Sequence, residues 1–541
     1  MRRAWLIVAS LLVIPTSQDA DAAPTLKTIK PGSTCTKLNK TQVLNSLRFT
    51  CVKSDKKLIW SAGVRVRTPV SKPSPTPAPS NKPTPSATAN PGENPSSVPI
   101  SNEPKAGSEC ENIGSRIPKT SNSFLECRMI ADGKLQFFLI NRNANPPTNL
   151  SSLGNIKDCQ VPDQTNRPAG ATPIGYKTNR YQNPSYPTEG HFKIAIIPVD
   201  FSDVPGGPLN RELIAKSAKA IEKWFEYESN GKLTVSVIEG SKWYRAPKTS
   251  ENYNWNHPGT KNPTKLSDNE IGQDFINISD TDFDFTNVGA LFIMHPDRIK
   301  TIEYGMMAAT RVHTNEGDIS PFLVSNGYED DRQDGALWAY WVHEIMHHVG
   351  LTGHAPDDLW YLDLMDLQSG FGLSTTTWNQ LIIDWLPSEQ LYCRTVSNLT
   401  KDEVTLTSID SLSKGVKSAM IAVSSHEVLV IESRRKDYWT SSDTTLVPKE
   451  AFDGFYGVSI YVVDTKKEND DFEGDRNAPD YESSKHKFAA NLKIATNRPN
   501  EFKGMPNLNY LMLLGESVIF RNIKISLIDS GDFDTVKIEK I

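Results

Sequence analysis

Trp341-Val342-His343-Glu344-Ile345-Met346-His347-His348-Val349-Gly350-Leu351-Thr352-Gly353-His354 is the stretch from which the rest of the chain is read. Leu337, Trp338, Trp341, Val342, Ile345 and Met346 recur at helical spacing. Asp334 can cap the start of a helix, and Gly350 supplies the left-handed stop. On that helix His343 and His347 stand four residues apart, one above the other, so two imidazole nitrogens can converge on one ion. Tetrahedral zinc accepts such a pair. Glu344 is rotated off the ligand direction and can reach a water at the metal's open position, as a general base must. The alternative, that this five-residue motif arose by chance on a surface helix, is weakened by the flanking features.

A third protein ligand is needed. Gly350 follows His347 by three residues, where metzincin-type enzymes turn sharply to bring a third ligand back, yet their usual third position is Gly353 here. The histidine comes one residue later, at His354. It is the favoured third ligand, with Asp357, Asp358 or a later carboxylate as alternatives, because zinc accepts either ligand type. His348, turned ~100° from His347 on the helix, is read as partly exposed or supporting. Asp363-Leu364-Met365-Asp366 resembles the methionine turn that underlies the ligands in such enzymes.

Working outward, Phe192 to Asp200 reads as a buried strand, Arg211 to Glu228 as an amphipathic helix stopped by Asn230-Gly231, and Leu233 to Val237 and Ala290 to Met294 as further strands. Alternating strands and helices make residues 150–392 an α/β or α+β domain. Beyond it the runs at 404–406, 420–423, 428–431, 458–463, 517–520, 523–528 and 536–538 are short, β-rich and separated by turn formers. Residues 393–541 are therefore expected to form an antiparallel, sandwich-like β domain.

The chain has 541 residues, too many for one core, and its 38% hydrophobic content can fill several. A formal net charge of -5 gives no basic surplus for a phosphate backbone, so nucleic acid is not an expected partner. Met1-Arg2-Arg3, the apolar run Ala4 to Pro15 and Ala20-Asp21-Ala22 read as a secretory signal over residues 1–22. That apolar run is well short of the ~20 residues needed to span a bilayer, and no later segment is long and apolar enough to do so. A secreted protein meets oxidising conditions, so the six cysteines are disulfide candidates. Gly32-Ser33-Thr34-Cys35 leading to Cys51 recurs as Gly107-Ser108-Glu109-Cys110 leading to Cys127. Two small modules, residues 23–67 and 106–149, are thus expected to carry the internal bridges Cys35–Cys51 and Cys110–Cys127. The Pro/Ser/Thr-rich stretch 68–105 is a linker that lets them move independently. Cys159 and Cys393 are left over and are expected to pair.

The strand ending Val199-Asp200-Phe201-Ser202-Asp203, the run Phe225 to Leu233, Trp243-Tyr244, His343 to Leu351, Asp363-Leu364-Met365, Trp378 and Asp384-Trp385-Leu386 together resemble the immune inhibitor A family of secreted metallopeptidases, from about Phe192 to the C-terminus. The resemblance implies a zincin catalytic domain followed by a β-rich region, zinc on His343 and His347, catalysis by Glu344, and protein or peptide substrates outside the cell. Family members usually carry an acidic residue soon after the Gly-Leu pair, where this chain has Thr352-Gly353-His354. Some members bind calcium; the acidic residues Asp470, Asp471, Glu473 and Asp475 lack EF-hand spacing and are read first as a solvated loop. The cysteine modules resemble those appended to secreted actinobacterial proteins, which makes cell-wall association an expected role. Two rival readings are a non-catalytic surface or wall-binding protein that keeps the fold, and a zinc hydrolase for a non-peptide substrate. Glu344 beside both histidines counts against the first, because binding alone needs no base.

Overall fold

The computed structural model describes residues 34, 41–44, 47–54, 57–60, 64–65, 103–141, 144–147, 152–163, 174–176, 187–256, 265–296, 299–302, 307–328, 337–351, 374–411, 414–435, 456–466, 490–493, 495–498 and 506–541. The chain divides into two compact units, Met1–Pro99 and Ile100–Ile541. The expected signal peptide and most of the expected linker lie outside the described residues.

In the first unit, strands β1 (Thr41–Leu44), β2 (Leu47–Ser54), β3 (Lys57–Trp60) and β4 (Val64–Arg65) form one antiparallel sheet. Cys51 is fully buried and disulfide-bonded, while Cys35 lies outside the described residues. The second unit opens with the other copy of this module: β5 (Arg116–Pro118), β6 (Ser123–Met129) and β7 (Leu135–Asn141). The two copies correspond in register. Cys51 opposes Trp60 as Cys127 opposes Phe137, and the bridges Thr34 to Ile59 and Glu109 to Gln136 fall at matching places. Cys110–Cys127 closes the second copy.

That second copy is packed into its unit. Buried Arg128 donates to the Gly531 carbonyl at 3.0 Å, Ala131 N donates to the Leu514 carbonyl at 2.9 Å, and the Tyr456 hydroxyl meets the Met129 amide. Met129 and Ile113 pack against Tyr456, Leu508 and Leu513.

The main sheet is built on β8 (Gly190–Asp200). Helix α1 (Arg211–Glu228) follows, capped by Asn210, whose side chain accepts from Leu213 N. Next come β9 (Leu233–Glu239), β10 (Tyr244–Arg245), α2 (Ser250–Tyr253), α3 (Asp268–Ser279), β11 (Val288–Pro296), β12 (Met307–Ala309), β13 (Val312–Thr314), β14 (Gly317–Ile319) and β15 (Phe322–Tyr328). β8 pairs in parallel with β9 and β10 along one edge and with β11 along the other; β15 continues the parallel run, and β12 closes it antiparallel. Period-two alternation divides the strands between two faces. Ile194, Ile196, Phe292, Met294 and Val324 pack beneath α1 and the later helix α4 (Leu337–Val349), whereas Ala195, Ile197, Leu291, Ile293 and Leu323 pack against α3. A run buried on both faces reads as nearly continuous apolar sequence, which is why β8 was legible.

After α4, helix α5 (Thr377–Ile382) leads to the C-terminal strands β16 (Leu391–Thr395), β17 (Lys401–Leu406), β18 (Ser418–Ala422), β19 (Glu427–Arg435), β20 (Tyr456–Asp464), β21 (Ala490–Leu492), β22 (Ser517–Phe520), β23 (Ile523–Ser530) and β24 (Asp534–Lys540). They make two sheets, β16-β18-β19-β20-β21 and β17-β24-β23-β22, that share one apolar cluster. The region departs from purely antiparallel order: β16 and β18 are parallel, because the chain leaves β16 to form β17 in the other sheet and returns in the same direction. β16 also runs across the expected boundary between residues 392 and 393. The five-stranded sheet is covered on both sides, with Leu429 and Ile431 facing the four-stranded sheet and Val428 and Val430 joining the core of α1 and α4. Cys159–Cys393 ties the segment before β8 to β16. Among the described residues no helix is long and apolar enough to cross a membrane.

Candidate metal centre

Helix α4 carries the candidate site. Its apolar face is set by Trp338, Trp341, Val342, Ile345 and Met346, all fully buried, and the Trp341 ring stacks on Phe292 of β11 at 5.0 Å. That packing fixes the rotation of the helix and hence the direction of the polar residues. His343 and His347 lie on one face with ring centroids 4.8 Å apart and planes at 89°. Both are buried, as is Glu344.

The helix ends as its sequence requires. Gly350 has φ +127°, and the amides of Gly350 and Leu351 both donate to the Met346 carbonyl, at 3.2 and 3.0 Å. This turn brings the Leu351 carbonyl to 2.8 Å from Nδ1 of His347. A backbone oxygen can only accept, so Nδ1 carries a proton; in the neutral ring that leaves the lone pair on Nε2, the tautomer a metal ligand needs. Nothing in the residue types announces this contact; it depends on the path of the turn.

His348 is half-buried against the Phe322 ring. Burial, and then the neighbouring His347, push it down to about 3, so it is neutral near pH 7. Its half-buried position agrees with the reading of it as partly exposed. The favoured third ligand His354, the alternatives Asp357 and Asp358, the helix cap Asp334 and the methionine turn around Met365 lie outside the described residues, as do Asp470, Asp471, Glu473 and Asp475.

The residues in place fit a zinc ion by their donor chemistry: two imidazoles one helical turn apart, one of them with its tautomer fixed, and a carboxylate beside them. Further along, the fully buried run Ser374 to Thr377 is held by two buried carboxylates that sequence reasoning did not single out. Glu228 of α1 accepts from Thr375 N, Thr375 Oγ1 and Gln380 Nε2; Glu432 of β19 accepts from Thr377 N and Thr377 Oγ1. Burial raises Glu228 to about 8, against the opposing effect of its hydrogen bonds from Gln380 and the Thr375 backbone. No protein-family model matches this chain, and no curated protein matches its sequence.

Proposed function

We propose that the protein is a secreted zinc-dependent endopeptidase that hydrolyses extracellular proteins or peptides, with a zincin-type catalytic region and a C-terminal β-sandwich. The observation that carries this reading is the buried triplet on α4, in which His343 and His347 share a face, the Leu351 carbonyl fixes the His347 tautomer, and Glu344 stands beside them. His343 and His347 would hold the ion, with His354 as third ligand. Zinc bound there supplies Lewis acidity and lowers the pKa of a water. Glu344 accepts the proton of the attacking water and returns it to the leaving amine, so no covalent intermediate on the protein is needed.

The sheet supports a peptide substrate. Among the described residues β12 is the terminal strand on its side of the sheet, paired to β15, whose Phe322 touches His348. A strand in that position can bind an extended chain by main-chain pairing. The likeness of the His343–Leu351 stretch to the immune inhibitor A family points the same way, and the disulfides suit an oxidising compartment. Cell-wall association through the N-terminal modules is part of the proposal. Incubating the purified protein with casein, with and without a chelator, tests it: cleavage abolished by chelation and restored by zinc is expected. Absence of cleavage with zinc fully bound would favour a binding protein or a non-peptide hydrolase.

A further inference from the structure

The rim of the five-stranded C-terminal sheet carries another group of metal-ligating side chains, remote in sequence from α4. His426 and Glu427 stand where the chain turns from β18 into β19, and Asp464 ends β20. One donor atom from each lies within 4.8 Å of the others, and all three are partly buried. The backbone places them: Glu427 and Asp464 are direct partners across the β19–β20 ladder, and Thr465 N donates to the His426 carbonyl at 2.8 Å.

Two carboxylates opposed across an antiparallel pair repel each other unless a cation offsets them. Arg521 takes Oε1 of Glu427 at 2.7 Å. Oε2 of Glu427 lies 3.2 Å from Ser424 Oγ and 4.0 Å from Nε2 of His426. The other ring nitrogen, Nδ1, lies 3.2 Å from Ser424 Oγ, which orients the ring and leaves Nε2 on the carboxylate side. Asp464 Oδ1 accepts from Lys466 N at 3.0 Å. Glu427 is thus held at both oxygens, by Arg521 and by Ser424, Asp464 is held through Oδ1, and the imidazole is tethered through the nitrogen remote from Glu427. Metal-binding histidines and carboxylates are characteristically oriented in this way.

We propose that His426, Glu427 and Asp464 form a second divalent-metal site, independent of the centre on α4. One imidazole and two carboxylates suit a borderline transition ion such as zinc, cobalt or manganese, whereas calcium prefers six to eight oxygens. Bonds of 2.0–2.2 Å at tetrahedral angles place donors ~3.4 Å apart, which rotation of these partly exposed side chains supplies. Water completes the coordination. The ion would fasten the β18–β19 turn to the end of β20.

Cobalt(II) is the probe, applied to the untagged full-length chain carrying His343→Ala and His347→Ala. Equilibrium dialysis with metal analysis is expected to retain one cobalt per chain, and cobalt should raise the thermal midpoint. Adding His426→Ala or Asp464→Asn to that background should abolish both effects. Cobalt at buffer level in the double variant, or equal retention with and without His426, overturns the site and leaves a hydrogen-bonded polar cluster in its place. Should the double variant fail to fold, His426→Ala alone is compared with the unaltered chain: a loss of one cobalt per chain supports the site, and unchanged content refutes it.

Discussion

Nδ1 of His347 lies 2.8 Å from the carbonyl oxygen of Leu351, four residues on, across the glycine turn that ends α4. A main-chain contact thus decides which ring nitrogen of this side chain is tied, and the roles on the helix can be separated by substitution.

Glu344→Gln keeps both imidazoles and removes the proton acceptor. Zinc on α4 should remain while peptidase activity falls by about 10²–10⁴-fold. Zinc analysis beside a peptide-cleavage assay checks this, and loss of the α4 metal would refute the division of roles.

His354→Ala should weaken zinc binding on α4 severely and remove activity, whereas Asp357→Ala and Asp358→Ala should leave it stoichiometric. Competition with a chromophoric chelator reads the affinities directly. Undiminished affinity in the His354 variant would transfer the third position to a carboxylate.

Gly350 holds φ +127°, where a side chain is strained. Among the described residues an added Cβ would meet only Ile383 Cγ2, at an ordinary 3.8 Å, so the cost expected there is conformational. Gly350→Ala is expected to cost about 1–3 kcal/mol and to loosen the turn that presents the Leu351 carbonyl. Denaturant melts measure the first effect and zinc affinity the second.

Non-reducing peptide mapping should recover Cys110–Cys127 and Cys159–Cys393, as in the structure, together with the expected Cys35–Cys51. A peptide joining Cys35 to Cys110 would contradict the modular arrangement. Replacing Cys159 and Cys393 by alanine should cost about 2–5 kcal/mol, because that bridge spans 234 residues of sequence.

Glu228 has its pKa raised to about 8 by burial in the folded state. A raised carboxyl binds its proton more tightly when folded, so its contribution is complete below the ordinary carboxyl range and is lost as pH rises towards 8. Lys417, pushed down to about 7 chiefly by burial, acts with the opposite sign above pH 7. Glu228→Gln should therefore flatten the fall in stability between about pH 5 and 7. Thermal melts across that interval, compared with the unaltered chain, provide the check.

Several elements were written locally. The Asn210 to Gly231 stretch contains a cap, an apolar helix face and a stop, so α1 spans the expected residues. The apolar run of β8 and the His343–His347 spacing likewise depend on near neighbours. So does the Ser267–Glu270 capping box of α3, a signal present in the sequence though not used to foresee that helix. Other features required the chain to fold back on itself. The parallel pairing of β16 with β18, the packing of Arg128 against Gly531 and the joint hold of Glu228 and Glu432 on Ser374 to Thr377 bring together residues far apart in sequence. Local propensity carries no record of such partners. The His347–Leu351 contact falls between these cases: the sequence supplied the histidine and the glycine, but the path of the backbone through the turn decided which ring nitrogen is tied and which is left for a metal.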